Sequence, residues 1–286
     1  NVSARTFLNP GDMAMTPSPI YRPFTFAPSN MERGMVKTHM KDVGGRIELD
    51  FDSIEALMSS DIKMFYFCNP HNPGGTVFSH EEIERLVDIC AKHDVGICSD
   101  EIHCDLLLDE KVKHIHTAII NDYARDNSVT LLGPCKTFNL AGLPIAAAVV
   151  PNPELRAHFR RCMRGIAAHI SSLSFVATEA AYLNGGEWHK ALIEYLKKNK
   201  QILIEGINEV EGLSLTGPEA SYLAWIDCRE AKLLSPSEFM IQQAKVGVHD
   251  GEWFGNKDYV RLNFGCPRSV LEDSIARIQK AFSQRN

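Results

Sequence analysis

Residues 63–101 read KMFYFCNPHNPGGTVFSHEEIERLVDICAKHDVGICSDE, and the order of signals within them decides the fold class. Lys63 to Cys68 is an aromatic-rich run of strand length, closed by the turn-forming Asn69-Pro-His-Asn-Pro-Gly-Gly75. Ser79 stands three residues before Glu82, the spacing of a capping box, and Ile83, Leu86, Val87 and Cys90 fall on one face of the helix that follows. Val95-Gly-Ile-Cys98 is the next short apolar run and delivers Ser99-Asp100-Glu101 at its end. A strand, a helix and a second strand in this order form a βαβ unit whose strands run parallel.

Working outward, Ser128–Leu132 and Pro144–Val150 read as two more strands of the same sheet. Beyond Pro151 the pattern becomes helical, with helices expected over 154–163 and 174–183, and Gly185-Gly186 as a stop signal. A long amphipathic segment runs from Trp188 to Ile207. Strands are expected at 221–227 and 259–264, and helices at 237–245 and 270–282. The reading is an α/β fold with a mostly parallel sheet flanked by helices, followed by a smaller C-terminal α+β domain. Its boundaries are 1–187 for the large domain and 188–286 for the small one, linking helix included.

Composition narrows the function. The chain has 286 residues, 44% hydrophobic and 23% charged, with 30 basic against 36 acidic residues and a formal charge of -6. That balance leaves no electrostatic footprint for nucleic acid. The longest nearly unbroken apolar stretch, Leu143 to Val150, is too short to cross a bilayer, and the first residues lack the pattern of a signal peptide. The expectation is a soluble, unexported protein. Eight cysteines without a CxxC pair argue against a disulfide framework and a zinc site. His114 and His116 alternate within an expected loop, and no cluster recurs at ligand spacing, so no metal is expected.

Three polar segments each follow an expected strand: Asn69–Gly75, Ser99-Asp-Glu-Ile-His103 and Cys135-Lys-Thr-Phe-Asn-Leu-Ala-Gly-Leu143. Their side chains should therefore gather at the carboxyl edge of one sheet, where open α/β folds bind ligands. A fourth, Tyr259-Val-Arg-Leu-Asn-Phe-Gly265, places an Arg inside an apolar run, where burial is costly without an anion.

These segments, with Ser221-Tyr-Leu-Ala-Trp-Ile-Asp227 and Gly-Cys-Pro-Arg268, carry a resemblance over essentially the whole length. The chain resembles the fold type I enzymes dependent on pyridoxal 5'-phosphate (PLP), of the class I/II aminotransferase superfamily, and among them the carbon-sulfur β-lyases of the cystathionine β-lyase type. The resemblance implies the PLP-dependent transferase-like fold, with residues 1–187 as the PLP-binding domain. It makes Lys136 the catalytic lysine that holds the cofactor aldehyde, a job for a primary amine of lowered proton affinity. An exposed surface lysine is the alternative.

Asp100 is implied to face the pyridine nitrogen, and a helix cap is its other reading. Glu101 is the weaker candidate, because adjacent side chains on a strand point apart. Asn72 is implied to bond the phenolic oxygen of the cofactor, with turn chemistry as its second role. His103 stands where many aminotransferases have Tyr; it is a cofactor contact or a satisfied structural histidine. Tyr21 resembles the aromatic that stacks on the ring, with core packing as the alternative. Arg261 is the implied clamp for the substrate α-carboxylate, against a surface ion pair, and Arg268 is peripheral.

Two departures from the family pattern stand out. Pro134-Cys135 replaces the usual Ser before the lysine, and a thiol is a poorer donor to phosphate. Asn1–Phe7 resembles the middle of a family helix, so the segment carrying the glycine-containing phosphate loop would precede it: the sequence is either a piece of a longer chain or a short natural one. Three functions are then in competition. A β-lyase would convert an L-cysteine S-conjugate such as cystathionine to a thiol, pyruvate and ammonia; an aminotransferase would use the same Lys, Asp and Arg; a non-catalytic homologue would keep only the fold. The family implies a homodimer acting on a small amino acid, while charge, hydropathy and the scattered cysteines add the expectations of no nucleic-acid or membrane partner and a reducing, cytoplasmic setting.

Overall fold

The computed structural model describes residues 1–285. Its main sheet has seven strands: β1 (Met13–Ser18), β2 (Gly34–Val43), β3 (Arg46–Leu49), β4 (Ile62–Cys68), β5 (Gly96–Asp100), β6 (Ser128–Leu132) and β7 (Ala147–Val149), in the order β3-β2-β1-β4-β5-β6-β7. The five central strands are mutually parallel, and β3 and β7 close the edges antiparallel. The second sheet is antiparallel, with β8 (Leu223–Asp227), β9 (His249–Asp250) and β10 (Tyr259–Asn263) in the order β8-β10-β9. Among the described residues no helix is long and apolar enough to cross a membrane.

β4 shows why the parallel strands sit inside. Its alternate residues go to opposite faces. Phe65 and Phe67 pack with Ile83, Leu86, Val87 and Cys90 of helix His80–Lys92. Met64, Tyr66 and Cys68 pack on the other face with Ala4, Leu8, Ile20 and Phe24. With both faces covered, the strand reads as a continuous apolar run. The helix opens on the expected capping box, in which the Ser79 hydroxyl accepts from Glu82 N–H and the Glu82 carboxylate from Ser79 N–H. In the C-terminal part, Leu203 and Ile207 of helix Gly186–Asn208 and Leu271, Ile275 and Ile278 of helix Arg268–Ser283 pack on Ala224, Ile226, Val260 and Leu262.

Several details differ from the sequence reading. No strand was expected before Lys63, yet β1, β2 and β3 lie there. β2 is largely exposed and carries Lys37, His39, Lys41 and Asp42, so it lacks the apolar signature of a core strand, and β1 contains Pro17. The strand expected over 144–150 is only three residues long and largely exposed. The helix expected over 237–245 is a four-residue turn, Pro236–Phe239, followed by a π-helical stretch, Met240–Ala244.

Candidate active site

The loop after β4 is tied down by its own backbone. Asn69 N–H donates to Asp100 O at 3.0 Å, Gly75 N–H to His71 O at 2.7 Å, and Glu219 and Ala220 N–H both donate to Gly75 O. Gly75 has φ +74°, and a Cβ there would stand 2.2 Å from Pro218 Cβ, so this turn requires glycine. His71 Nδ1 accepts from Gly74 N–H, which leaves Nε2 as the donor to Pro19 O at 2.9 Å. Burial holds that ring neutral, pushing its pKa down to about 4. His71 and the bond from Ile20 N–H to Phe254 O together fix the segment that carries Tyr21. Tyr21 is 38% exposed, so core packing does not account for it.

Asp100 ends β5. Its Oδ1 accepts from Ile102 N–H at 3.1 Å. Desolvation pushes the carboxyl up to about 6, with the charge of Glu101 adding to the rise and Ile102 N–H and Lys136 opposing it. Lys136 lies on the turn of helix Pro134–Thr137, directly after β6, and makes no hydrogen bond among the described residues. His103 is buried, and desolvation, then Lys136 and Arg261, bring its pKa down to about 3. Its Nδ1 has no partner, and its ring meets Tyr222 edge-on at 6.2 Å.

Arg261 enters from the other sheet, on β10. Nη1 donates to Asn72 Oδ1 at 3.0 Å, Nε is buried without a partner, and the guanidinium lies 4.6 Å from the Phe254 ring centre. No carboxylate pairs with it among the described residues. Desolvation lowers its pKa, with Tyr21 and Tyr222 opposing.

These mutual effects make the six residues neighbours in a chain of contacts. Lys136 acts on Asp100 and His103, and Arg261 acts on His103, bonds Asn72 and is acted on by Tyr21. Arg268 lies outside it, against the Tyr195 ring and Asn199. Glu101 turns to the opposite side of β5, as the alternation of a strand requires, and meets His114, His116, Ser99 and Thr117. Tyr222, against His103, and Phe254, under Arg261, flank this cluster but were not singled out from the sequence. Tyr222 lies in the quoted 221–227 run, whereas nothing in the sequence around Phe254 gives a signal.

Comparison with known proteins gives concordant results. Cystathionine beta-lyase PatB of Bacillus subtilis is 34% identical over 291 residues, covering 99% of this chain and 75% of that protein. The crystal structure of OvoB superposes with a TM-score of 0.97 at 40% identity, covering 100% of this chain and 75% of that one. Cystalysin from Treponema denticola, which contains a pyridoxal 5'-phosphate cofactor, gives 0.94 at 31% identity over 99% of this chain and 73% of its own. The sequence profile of aminotransferase class I and II matches residues 1–278. With that profile spanning nearly the whole chain and the same architecture in its solved relatives, this protein belongs to the aminotransferase class I and II family.

Proposed function

We propose that the protein is a PLP-dependent carbon-sulfur β-lyase that converts L-cysteine S-conjugates, cystathionine among them, with one water to a thiol, pyruvate and ammonia. The observation that carries this reading is Arg261, a buried guanidinium with an unpartnered Nε and no carboxylate partner among the described residues, whose charge acts on His103 as that of Lys136 does. Leaving such a charge unpaired is costly, and a substrate α-carboxylate would complete it.

The residues also fit the cofactor. Asp100 is a carboxylate at the end of β5 that burial pushes up to about 6, and a protonated pyridine nitrogen is a positive partner that would offset that desolvation. When bound, PLP supplies an aldehyde for the substrate amine and a ring that draws electrons from the substrate Cα. In this reading Asp100 would hold the ring nitrogen and keep its proton, and Tyr21 would hold the ring. Asn72, anchored by Arg261, would hold the phenolic oxygen, and neutral His103 would contact the cofactor without adding charge. Arg261 fixes the α-carboxylate and so aims the Cα–H bond. Lys136 Nζ takes the Cα proton, and the same ammonium returns a proton as the thiolate departs. The released enamine hydrolyses in water to pyruvate and ammonia.

The lyase names and structures among the relatives support elimination over amino transfer. Pyruvate and thiol release from cystathionine without a keto-acid acceptor is the expected result; amino transfer that needs an acceptor and releases no thiol would overturn the reading. The same proposal assigns cofactor binding to residues 1–187 and the Arg261 clamp to 188–286. It includes a homodimer, supported by exposed Leu173, Phe175, Val176 and Leu183 on helix Ser172–Asn184, and a reducing, cytoplasmic setting, supported by eight free cysteines.

A further inference from the structure

The side of β5 away from the candidate active site holds a second constellation. Glu101 is fully buried, and its two oxygens have separate duties. Oε1 accepts from the Ser99 hydroxyl at 2.8 Å and from Thr117 N–H at 3.0 Å. Oε2 faces two imidazoles, His114 through Nε2 at 2.9 Å and His116 through Nδ1. The two rings stand nearly perpendicular, 78° between planes, with centres 4.8 Å apart. One ligand atom from each of the three residues falls within 4.8 Å of the others.

We propose that Glu101, His114 and His116 form a binding site for a borderline divalent transition ion of the zinc class. Two imidazole nitrogens and a carboxylate oxygen are the donors such an ion takes. Tetrahedral zinc with bonds near 2.0 Å separates its ligand atoms by roughly 3.3 Å. Glu101 Oε2 stands 2.9 Å from His114 Nε2, and a turn of the half-exposed His116 ring would bring the three ligand atoms, now within 4.8 Å of one another, around one ion. Ser99 and Thr117 supply the outer shell that points the carboxylate, a feature of built metal sites.

A purely structural role would need only one imidazole on Glu101. His114, 6% exposed, provides it; the His116 side chain is 46% exposed, with water within reach, yet it aims Nδ1 at the same oxygen. Access exists as well. His114 and His116 line a cavity of about 680 Å³ with Cys104, Asp105, Lys113, Leu132 and Tyr182, leaving space for water or an exogenous ligand to complete the coordination.

The test uses the holoprotein, stripped with a chelator and reloaded with Zn²⁺ or Co²⁺. Elemental analysis should find one ion per chain, and bound Co²⁺ should show d–d absorption without a thiolate charge-transfer band. His116→Ala, at a half-exposed position that leaves the fold intact, should lose that ion and the Co²⁺ spectrum. Ser99→Ala should weaken binding about 10- to 100-fold. Failure of the wild type to retain either ion overturns the proposal. So does binding that survives unchanged in His116→Ala, because the ion would then sit elsewhere and the three residues would be a hydrogen-bond cluster only.

Discussion

Arg46 and Arg261 occupy comparable positions, each partly or wholly buried on a strand, and they are treated in opposite ways. Every N–H of Arg46 is used: Nε to Glu219, Nη1 to Glu48 and Glu82, Nη2 to Glu82 and Val77 O. Burial lowers its pKa, and the carboxylates of Glu82 and Glu219 more than reverse this, so the net shift is upward. Arg261 has one recorded hydrogen bond, to a neutral amide, and its pKa is lowered. The first arginine joins β3, the start of helix His80–Lys92 and the segment at Glu219. The second is left incomplete beside two further incomplete groups, Asp100 and Lys136. A charge satisfied by the protein marks architecture; a buried one left unsatisfied near other titratable groups marks a candidate ligand site.

The largest expected effect tests the incomplete region. Lys136→Ala should lower pyruvate formation by about 10⁴-fold, the upper range for losing a positioned acid-base group, while the urea midpoint stays put. Residual activity within a few fold of wild type would remove Lys136 from the chemistry. Next, Arg261→Met should cost about 100-fold in kcat/KM for cystathionine, the scale of one lost partner in a buried charge pair. Because no protein anion is stranded, its melting temperature should not fall. A drop in stability with unchanged kcat/KM would make Arg261 a structural residue like Arg46.

Arg46→Met should give the converse. Three carboxylates would lose their shared partner, at a cost of about 2 kcal/mol, less than for a fully buried pair because the network is partly exposed. Turnover per folded molecule should remain. An effect that leaves stability near neutral pH unchanged concerns His71, which positions the loop carrying Tyr21. Its folded value near 4 lies below the ordinary 6.5. Between those values the unfolded chain takes up a proton that the folded one refuses, so stability falls as pH drops from 6.5 toward 4. The slope from this group reaches about 1.4 kcal/mol per pH unit, and His71→Gln should flatten it in urea melts run across that window.

The βαβ unit at 62–100 was legible because its signals are local. A capping box, a 3.6-residue apolar period and a doubly buried strand each lie within a few residues of chain. The placement of Asp100, Lys136 and Asn72 at one sheet edge follows from the parallel topology, once each is seen to trail a strand. β1, β2 and β3 were not legible, since β2 is mostly solvated and its pairing partners are set by distant segments. Phe254 under Arg261 gave no sign for the same reason: it arrives from a short 3₁₀ turn whose position depends on the second sheet. Glu101 was set aside in favour of Asp100 on strand alternation, but its meeting with His114 and His116 depends on how the 102–116 segment folds back.

By itself, then, the sequence determined the fold class, the parallel core and the identity of the polar groups at the ends of its strands. Periodicity, caps and turn residues act over short separations and leave a readable trace. Tertiary structure alone decided which charges are completed and which are left open. That outcome depends on contacts between residues far apart in the chain, such as Arg46 with Glu219 or Arg261 with Asn72, and on desolvation that no local pattern encodes.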